Sequence, residues 1–121
     1  MPIKKILVVD DSPTERQFML EALSKLGYQV VLAESGEEGV AKARSELPEL
    51  VLMDVVMPGS NGFQATRQIA KDEATKHIPV IICTTKSQET DRIWGMRQGA
   101  RDYIVKPIDV SELAAKIAAL G

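Results

Sequence analysis

Three aspartates and one lysine stand where short apolar runs of the sequence end. Asp10 and Asp11 follow ILVV, Asp54 follows LVLM, and Lys106 follows DYIV. If these runs are parallel strands of one sheet, their carboxyl ends share an edge and the four side chains converge there. Neighbouring carboxylates cannot all ionise without a large penalty, which a hard divalent cation such as Mg²⁺ or Mn²⁺ relieves. Because a lysine ammonium suits a phosphoryl oxygen, the cluster predicts phosphoryl chemistry on a carboxylate.

The elements that position these residues are indicated by an alternation along the chain. Short β-rich runs alternate with segments of helical pattern, and the runs cover residues 5–10, 29–33, 50–54, 80–84 and 103–106. Runs such as ILVV and VIIC are apolar throughout, as strands covered on both faces are. Repeated βα units of this kind predict an α/β fold, a parallel sheet with helices on both faces. For its five strands, flanked by five helices, we take the flavodoxin-like order 2-1-3-4-5. In that order the site lies between the first and third strands.

Helix start signals follow three of the predicted strands. The first is Ser12-Pro13-Thr14-Glu15, which reads as an N-cap, a proline at the first helical position and a capping-box glutamate. Gly27 ends this helix, and the apolar residues expected on its buried face are Phe18, Met19, Ala22, Leu23 and Leu26. Similar start signals precede residues 40–47 and 113–120.

Length and composition narrow the function classes. We expect the 121 residues to form a single domain, residues 1–121, without an output domain. A net charge of −2 without a basic cluster argues against nucleic acid. No apolar run approaches the ~20 residues that span a bilayer, and the first run meets two aspartates too early for a signal peptide. The lone Cys83 cannot form an internal disulfide, so we expect a buried thiol in a cytoplasmic protein.

The strand-end residues resemble, in type and order, the receiver domain of bacterial response regulators, a CheY-like fold. The motifs that carry the resemblance are Asp10-Asp11, Asp54 with Met57-Pro58-Gly59 and Asn61-Gly62, Thr84, and Lys106-Pro107. The resemblance covers the chain from Ile3 to the last helix. It implies that a histidine kinase's phosphoryl group moves to Asp54. It also implies that Asp10, Asp11 and Asp54 hold Mg²⁺ together with the backbone carbonyl of Val56.

The resemblance assigns further roles around this site. Lys106 would neutralise the phosphoryl oxygens, aimed by a cis peptide before Pro107. The Thr84 hydroxyl would move toward the phosphate, and Tyr103 would turn inward into the space that it leaves. From the residues alone, Tyr103 also fits a half-exposed strand aromatic, and Asp10 an Asx-turn ahead of the first helix.

The loop after the phosphoacceptor position and the positions near the fourth strand allow two more hypotheses. Gly59, Asn61 and Gly62 predict a turn with permissive backbone geometry, which ordinary turn chemistry explains as well as access to the site does. Val56 and Lys86 each lie two residues beyond a strand-end site residue. We hypothesise that they flank the path of an attacking water and so tune the lifetime of the acyl phosphate.

A narrower resemblance is carried by residues 88–103 and 62–68. These segments are similar to the small stand-alone receivers of type IV pilus chemosensory systems, which govern twitching motility. That implies a CheA-like sensor histidine kinase and a pilus-motor or regulatory protein as partners. Trp94, with Tyr103, would mark a partner face if exposed, and packing of Trp94 against the sheet is the alternative. Receivers often dimerise on phosphorylation through the face near Tyr103, so the resemblance also allows a phosphorylation-dependent dimer of this chain.

The favoured function is a single-domain response regulator, a phosphorylation-dependent binding switch that catalyses only its own phosphotransfer and dephosphorylation. A phosphate sink that drains a shared chemosensory kinase uses the same chemistry. A hydrolase of small phosphate esters would need a cap domain, for which the chain has no spare residues. A flavin or nucleotide binder would need a glycine-rich loop after the first strand, where DDSPTE stands instead.

Overall fold

Strands and helices alternate along the residues that the computed structural model describes, 3–57, 60–85 and 88–120. The strands are β1 (Lys5–Val9), β2 (Gln29–Ala33), β3 (Leu50–Met53), β4 (Val56–Met57), β5 (Ser60–Asn61), β6 (Val80–Thr84) and β7 (Asp102–Val105). The helices are α1 (Pro13–Lys25), α2 (Gly36–Glu46), α3 (Gly62–Lys71), α4 (Glu89–Arg97) and α5 (Val110–Leu120). Five of the strands form a parallel sheet of order β2-β1-β3-β6-β7. The predicted fold class is therefore confirmed.

The core lies on both faces of this sheet. From β1, Ile6 and Val8 pack on one face with side chains of α1 and α5. Leu7 and Val9 pack on the other face with side chains of α2 and α3. Because helices cover both faces of the sheet, strand residues on either face are shielded from water. The strand sequences are therefore continuously apolar and do not alternate with polar residues. Within the described residues, no helix is long and apolar enough to cross a membrane.

The buried face of α1 is narrower than the sequence indicated. Met19 and Leu23 are buried, but Phe18 is 42% exposed and Leu26 is 43% exposed. Phe18 lies on the flank of the helix, and Leu26 is the C-cap, beyond the last helical residue. The predicted N-cap is confirmed, since the Ser12 hydroxyl accepts a hydrogen bond of 3.3 Å from the Glu15 amide.

A short antiparallel hairpin, β4–β5, follows Asp54 and was not predicted. Val56 pairs with Asn61, and Met57 pairs with Ser60. Asn61 then caps α3, because its side-chain oxygen accepts a hydrogen bond of 3.1 Å from the Gln64 amide. The hairpin therefore connects the end of β3 directly to the start of α3.

Gly62 is required by close packing, and the prediction of a permissive turn at this residue was wrong. It is the first residue of α3, and a Cβ atom there would lie 2.2 Å from the carbonyl oxygen of Asp54. Such a distance is far inside van der Waals contact, so only glycine lets the helix start this close to the strand end. Gly59, the other glycine of the predicted turn, lies outside the described residues, as does Pro58.

Candidate functional site

The acidic residues named from the sequence lie together at the carboxyl edge of the sheet. Asp10 follows β1 and Asp54 follows β3, and these two strands are neighbours. The sheet ladder extends to both, since the Asp10 amide donates to Ala33 and the Asp54 amide to Val9, each over 3.0 Å. One carboxylate oxygen of each of Asp10, Asp11 and Asp54 lies within 4.8 Å of the others.

Lys106 enters this cluster from the end of β7. Its Nζ lies 2.6 Å from Oδ2 of Asp10, 3.4 Å from Oδ2 of Asp54 and 3.9 Å from Oε2 of Glu15. The Lys106–Pro107 peptide is cis, and the Lys106 amide donates to the Thr84 carbonyl over 2.8 Å. Burial alone would lower the pKa of Lys106, but the hydrogen bond to Asp10 and the charge of Asp54 outweigh it and raise the pKa. The ammonium is therefore held in its charged form.

Asp54 is buried, with 6% of its surface exposed. Its Oδ1 accepts a hydrogen bond of 3.0 Å from the Val56 amide, and its Oδ2 faces Lys106. Burial raises the pKa of the Asp54 carboxyl, opposed by the Val56 amide, the charge of Lys106 and a hydrogen bond with the Thr84 side chain. The net shift is upward, so the surroundings do not fully compensate the carboxylate for its lost hydration.

Asp10 and Asp11 differ in their surroundings. Asp10 is 3% exposed, whereas Asp11 is an exposed residue. Oδ1 of Asp10 accepts a hydrogen bond of 3.0 Å from the Ser12 amide, which is the Asx-turn that was the alternative interpretation. Because Oδ2 of Asp10 binds Lys106, the turn and the cluster use different oxygens of one carboxylate.

Two residues of α1 contribute to this region and were not predicted from the sequence. Arg16 donates from its guanidinium to the Asp10 carbonyl over 2.7 Å and forms an ion pair of 3.2 Å with Glu34. Glu15, named only as a capping residue, directs its carboxylate toward Lys106. Both residues contact side chains or backbone of other elements, so neither contact has a signal in the residue spacing.

Tyr103 lies inside the protein, which excludes the half-exposed placement. It is 5% exposed and packs with Val55, Ile82 and Ala100. Gly95 of α4 lies against this group, since a Cβ atom at that position would lie 2.6 Å from Cδ1 of Ile82, whereas its 3.6 Å distance to Cδ2 of Tyr103 would be an ordinary contact. Burial raises the pKa of Tyr103 to about 12, so the phenol stays protonated.

Trp94 points away from the sheet, and the alternative of packing against it is wrong. Trp94 is 51% exposed, and the neighbouring Gly95 occupies the buried face of α4. Since Tyr103 is buried, the two aromatics do not form one exposed surface in this conformation.

Comparison with known proteins identifies the family. Residues 6–118 match the family described as the response regulator receiver domain. The chain belongs to this family. It is 60% identical over 116 residues to Protein PilH of Pseudomonas aeruginosa, which covers 96% of each chain.

Solved structures of receivers have the same fold. Vibrio cholerae chemotaxis protein CheY4 superposes on this receiver with a TM-score of 0.91 and 29% identity, covering 98% of this chain and 99% of that one. The receiver domain of a Pseudomonas aeruginosa sensor histidine kinase gives a TM-score of 0.89 and 31% identity over 97% and 96% of the two chains. That structure has a magnesium ion coordinated in its active site cleft.

The donor set of this receiver fits a hard divalent cation. The carboxylate oxygens of Asp10, Asp11 and Asp54 lie close enough to share one ion, and Asp11 leaves the cluster open to solvent. Among the described residues, the three acids outnumber the Lys106 ammonium that contacts them, so the cluster has an excess of negative charge. These residues would therefore hold Mg²⁺, which would supply positive charge beside the Asp54 carboxylate.

Two further predictions from the sequence concern the thiol of Cys83 and the positions of Val56 and Lys86. Cys83 is buried, and burial raises the pKa of its thiol to about 12, so the thiol is protonated and unreactive at neutral pH. Val56 is 44% exposed, and its effect on the lifetime of the acyl phosphate stays a prediction. Lys86 lies outside the described residues.

Proposed function

We propose that this receiver accepts a phosphoryl group on Asp54 from a sensor histidine kinase, in a Mg²⁺-dependent reaction, and thereby switches the binding of a partner. The observation that supports this proposal most strongly is the convergence of three carboxylates and Lys106 at one edge of the sheet. An ordinary strand-end turn would not place an ammonium and three acids in contact.

Oδ2 of Asp54 is the nucleophile in this proposal, because Oδ1 is occupied by the Val56 amide. A bond forms between Oδ2 and phosphorus while the phosphorus–nitrogen bond of the kinase phosphohistidine breaks, and the imidazole leaves as a neutral ring because its other nitrogen already carries a proton. Lys106, whose Nζ is 3.4 Å from Oδ2, neutralises charge on the transferred group. Mg²⁺ held by Asp10, Asp11, Asp54 and the Val56 carbonyl would neutralise the remaining charge on the phosphoryl oxygens.

Thr84 and Tyr103 form the switch in this proposal. The Thr84 side chain hydrogen-bonds with the Asp54 carboxylate, and Tyr103 is buried beside Gly95. This pairing of an inward threonine and an inward tyrosine is the arrangement that the switch hypothesis assigns to the phosphorylated form. A phosphoryl group on Asp54 would offer the Thr84 hydroxyl further oxygens and so increase the population of this arrangement.

The likeness to PilH supports a role in pilus-based motility, with a CheA-like kinase as the phosphodonor. The likeness extends over 96% of PilH. The competing function is a phosphate sink that drains a kinase shared with another receiver. Both functions use Asp54, and they differ in how long the phosphoryl group must survive.

The experiment follows the intact mass of the protein after incubation with acetyl phosphate and Mg²⁺, with Asp54→Asn as the control. We expect one phosphoryl group on the wild type, none on the variant and none when Mg²⁺ is chelated. After the donor is removed, slow decay favours the switch and rapid decay favours the sink. Modification of Asp54→Asn to the wild-type level would overturn the assignment of the phosphoacceptor.

A further inference from the structure

A groove between α3 and α4 is separate from the acidic cluster. It has a volume of about 460 Å³, and the side chains at its rim are those of Arg67, Lys71, Trp94 and Arg97. Its floor is narrow, because Gly99 has a φ of +106° and a Cβ atom there would lie 2.6 Å from Cβ of Ala70. We name this feature the α3–α4 groove.

The α3–α4 groove is basic, although the chain as a whole has a net charge of −2. Arg67, Lys71 and Arg97 are exposed, and no ion pair between described residues involves any of them. Arg67 and Lys71 are one helical turn apart on α3, where like charges repel each other. An anionic ligand in the groove would relieve that repulsion.

The two acids that follow Lys71 in the sequence already have cationic partners. Asp72, which follows Lys71, forms an ion pair with Arg44, and Glu73 forms one with Lys76 over 2.9 Å. They therefore do not compensate the charges of the groove. Among the described residues, no ion pair supplies a counter-charge to Arg67, Lys71 or Arg97, so the rim of the groove is cationic.

Trp94 adds an apolar contact to this cationic surface. It is 51% exposed and is the only tryptophan of the chain. Tryptophan and arginine are the residue types most enriched among the residues that dominate binding energy in protein interfaces. A ligand that satisfies the whole groove must therefore carry several negative charges and one apolar group.

We propose that the α3–α4 groove binds an acidic segment of a partner protein. Carboxylates of that segment pair with Arg67, Lys71 and Arg97, and an apolar side chain packs on the Trp94 indole. Open ends and a rim supplied by two helices suit a peptide chain that crosses the groove. This site goes beyond the proposed phosphoryl transfer, because none of its residues contacts Asp54, Asp10 or Lys106 among the contacts of the described residues.

The test uses a fluorescein-labelled, glutamate-rich peptide with one central leucine, and the same peptide with glutamines in place of the glutamates. Binding to the full chain is followed by fluorescence anisotropy and by the intrinsic emission of Trp94. We expect the acidic peptide alone to bind and to change that emission. Arg67→Glu and Trp94→Ala should each weaken binding roughly tenfold.

Lys25→Glu and Phe18→Ala are the matched controls, since they alter an exposed cation and an exposed aromatic on α1, away from the groove. Both should bind the acidic peptide as the wild type does. If Lys25→Glu weakened peptide binding as much as Arg67→Glu does, the peptide would be attracted by surface charge in general, and the proposal would be overturned. Absence of binding to the wild type would also overturn it. Quenching of Trp94 by guanosine triphosphate without peptide binding would overturn it in favour of a nucleotide site.

Phosphorylation by acetyl phosphate is measured on each variant in parallel. If a groove variant no longer binds the peptide but is still phosphorylated, the loss of binding does not come from damage to the Asp54 site. Conversely, if the wild-type chain binds the peptide but is never phosphorylated, the proposed groove stands and the proposed phosphoryl transfer is wrong. The two proposals therefore fail independently.

Discussion

Lys106 lies closer to Asp10 than to Asp54, with Nζ 2.6 Å from Oδ2 of Asp10 and 3.4 Å from Oδ2 of Asp54. β1 and β7 are separated in the sheet by β3 and β6, so the lysine side chain reaches across two strands to make this contact. The ion pair is buried, and it supplies positive charge to both acids. Lys106 is therefore expected to matter for stability as well as for phosphoryl transfer.

Replacement of Lys106 by methionine tests both roles. We expect phosphorylation by acetyl phosphate to slow roughly a hundredfold, because a charge that stabilises the transferred group is lost. The free energy of unfolding without Mg²⁺ should fall by about 3 kcal/mol, since Asp10 and Asp54 lose their buried counter-ion. Mass spectrometry and urea unfolding measure the two effects, and Lys25→Met is the exposed control. An unchanged phosphorylation rate would remove Lys106 from the proposed chemistry.

Replacement of Asp54 by asparagine should stabilise the protein at neutral pH in the absence of Mg²⁺. The pKa of Asp54 is raised by burial, so its charged form is less favourable in the folded chain than in the unfolded chain. Asparagine retains an acceptor for the Val56 amide and removes the charge. We expect a gain of about 1 kcal/mol in urea unfolding at pH 7. The gain should vanish at a pH low enough to protonate Asp54, and loss of stability at pH 7 would contradict it.

Asp102 and Lys116 provide a pH-dependent contribution to stability. Their side chains form an ion pair of 2.9 Å, and the Tyr103 amide donates to Asp102 over 2.8 Å. Burial raises the pKa of Asp102, but the hydrogen bonds with Lys116 and Tyr103 outweigh it, and the net pKa is lowered. This stabilisation is therefore present above the unfolded-state pKa of the carboxyl and is lost as pH falls through the lower folded-state pKa.

Asp102→Asn should accordingly reduce the free energy of unfolding at pH 7 by roughly 0.5 kcal/mol, as expected for a partly exposed pair. Thermal unfolding across the acidic range should show this difference fading toward low pH. Lys116→Gln should produce a similar loss, and the double variant should lose little more. A difference that stays constant from neutral to acidic pH would exclude the ion pair as its source.

Gly62→Ala tests the contact between α3 and the strand that ends at Asp54. The added methyl group would lie 2.2 Å from the Asp54 carbonyl oxygen, and we expect a loss of about 2–3 kcal/mol in urea unfolding. Gly27→Ala is the control, because Gly27 has a φ of +95° with no atom within 4 Å of the added Cβ. That variant should lose only about 1 kcal/mol. A loss of about 1 kcal/mol or less for Gly62→Ala would mean that the close approach to the Asp54 carbonyl contributes little to stability.

The strands and the acidic cluster could be predicted from the sequence because local pattern indicates them, and the strand order followed from the fold class that they imply. Continuous apolar runs identify strands covered on both faces, and parallel strands place their carboxyl ends along one edge. Asp10 and Asp54 end two such runs, and their positions at that edge follow from this. Residue type and position in a run sufficed, without knowledge of any side-chain contact.

The surroundings of individual side chains were decided by the tertiary structure. Trp94 is exposed and Tyr103 is buried, and Gly95 rather than Trp94 faces the Ile82 side chain. Gly62 is needed because α3 starts against the Asp54 carbonyl, and Lys106 binds Asp10 across two intervening strands. Each of these contacts joins residues of different elements, and their distances depend on how helices and strands pack. Local sequence pattern specifies the elements, whereas steric fit and charge between elements determine which side chains meet.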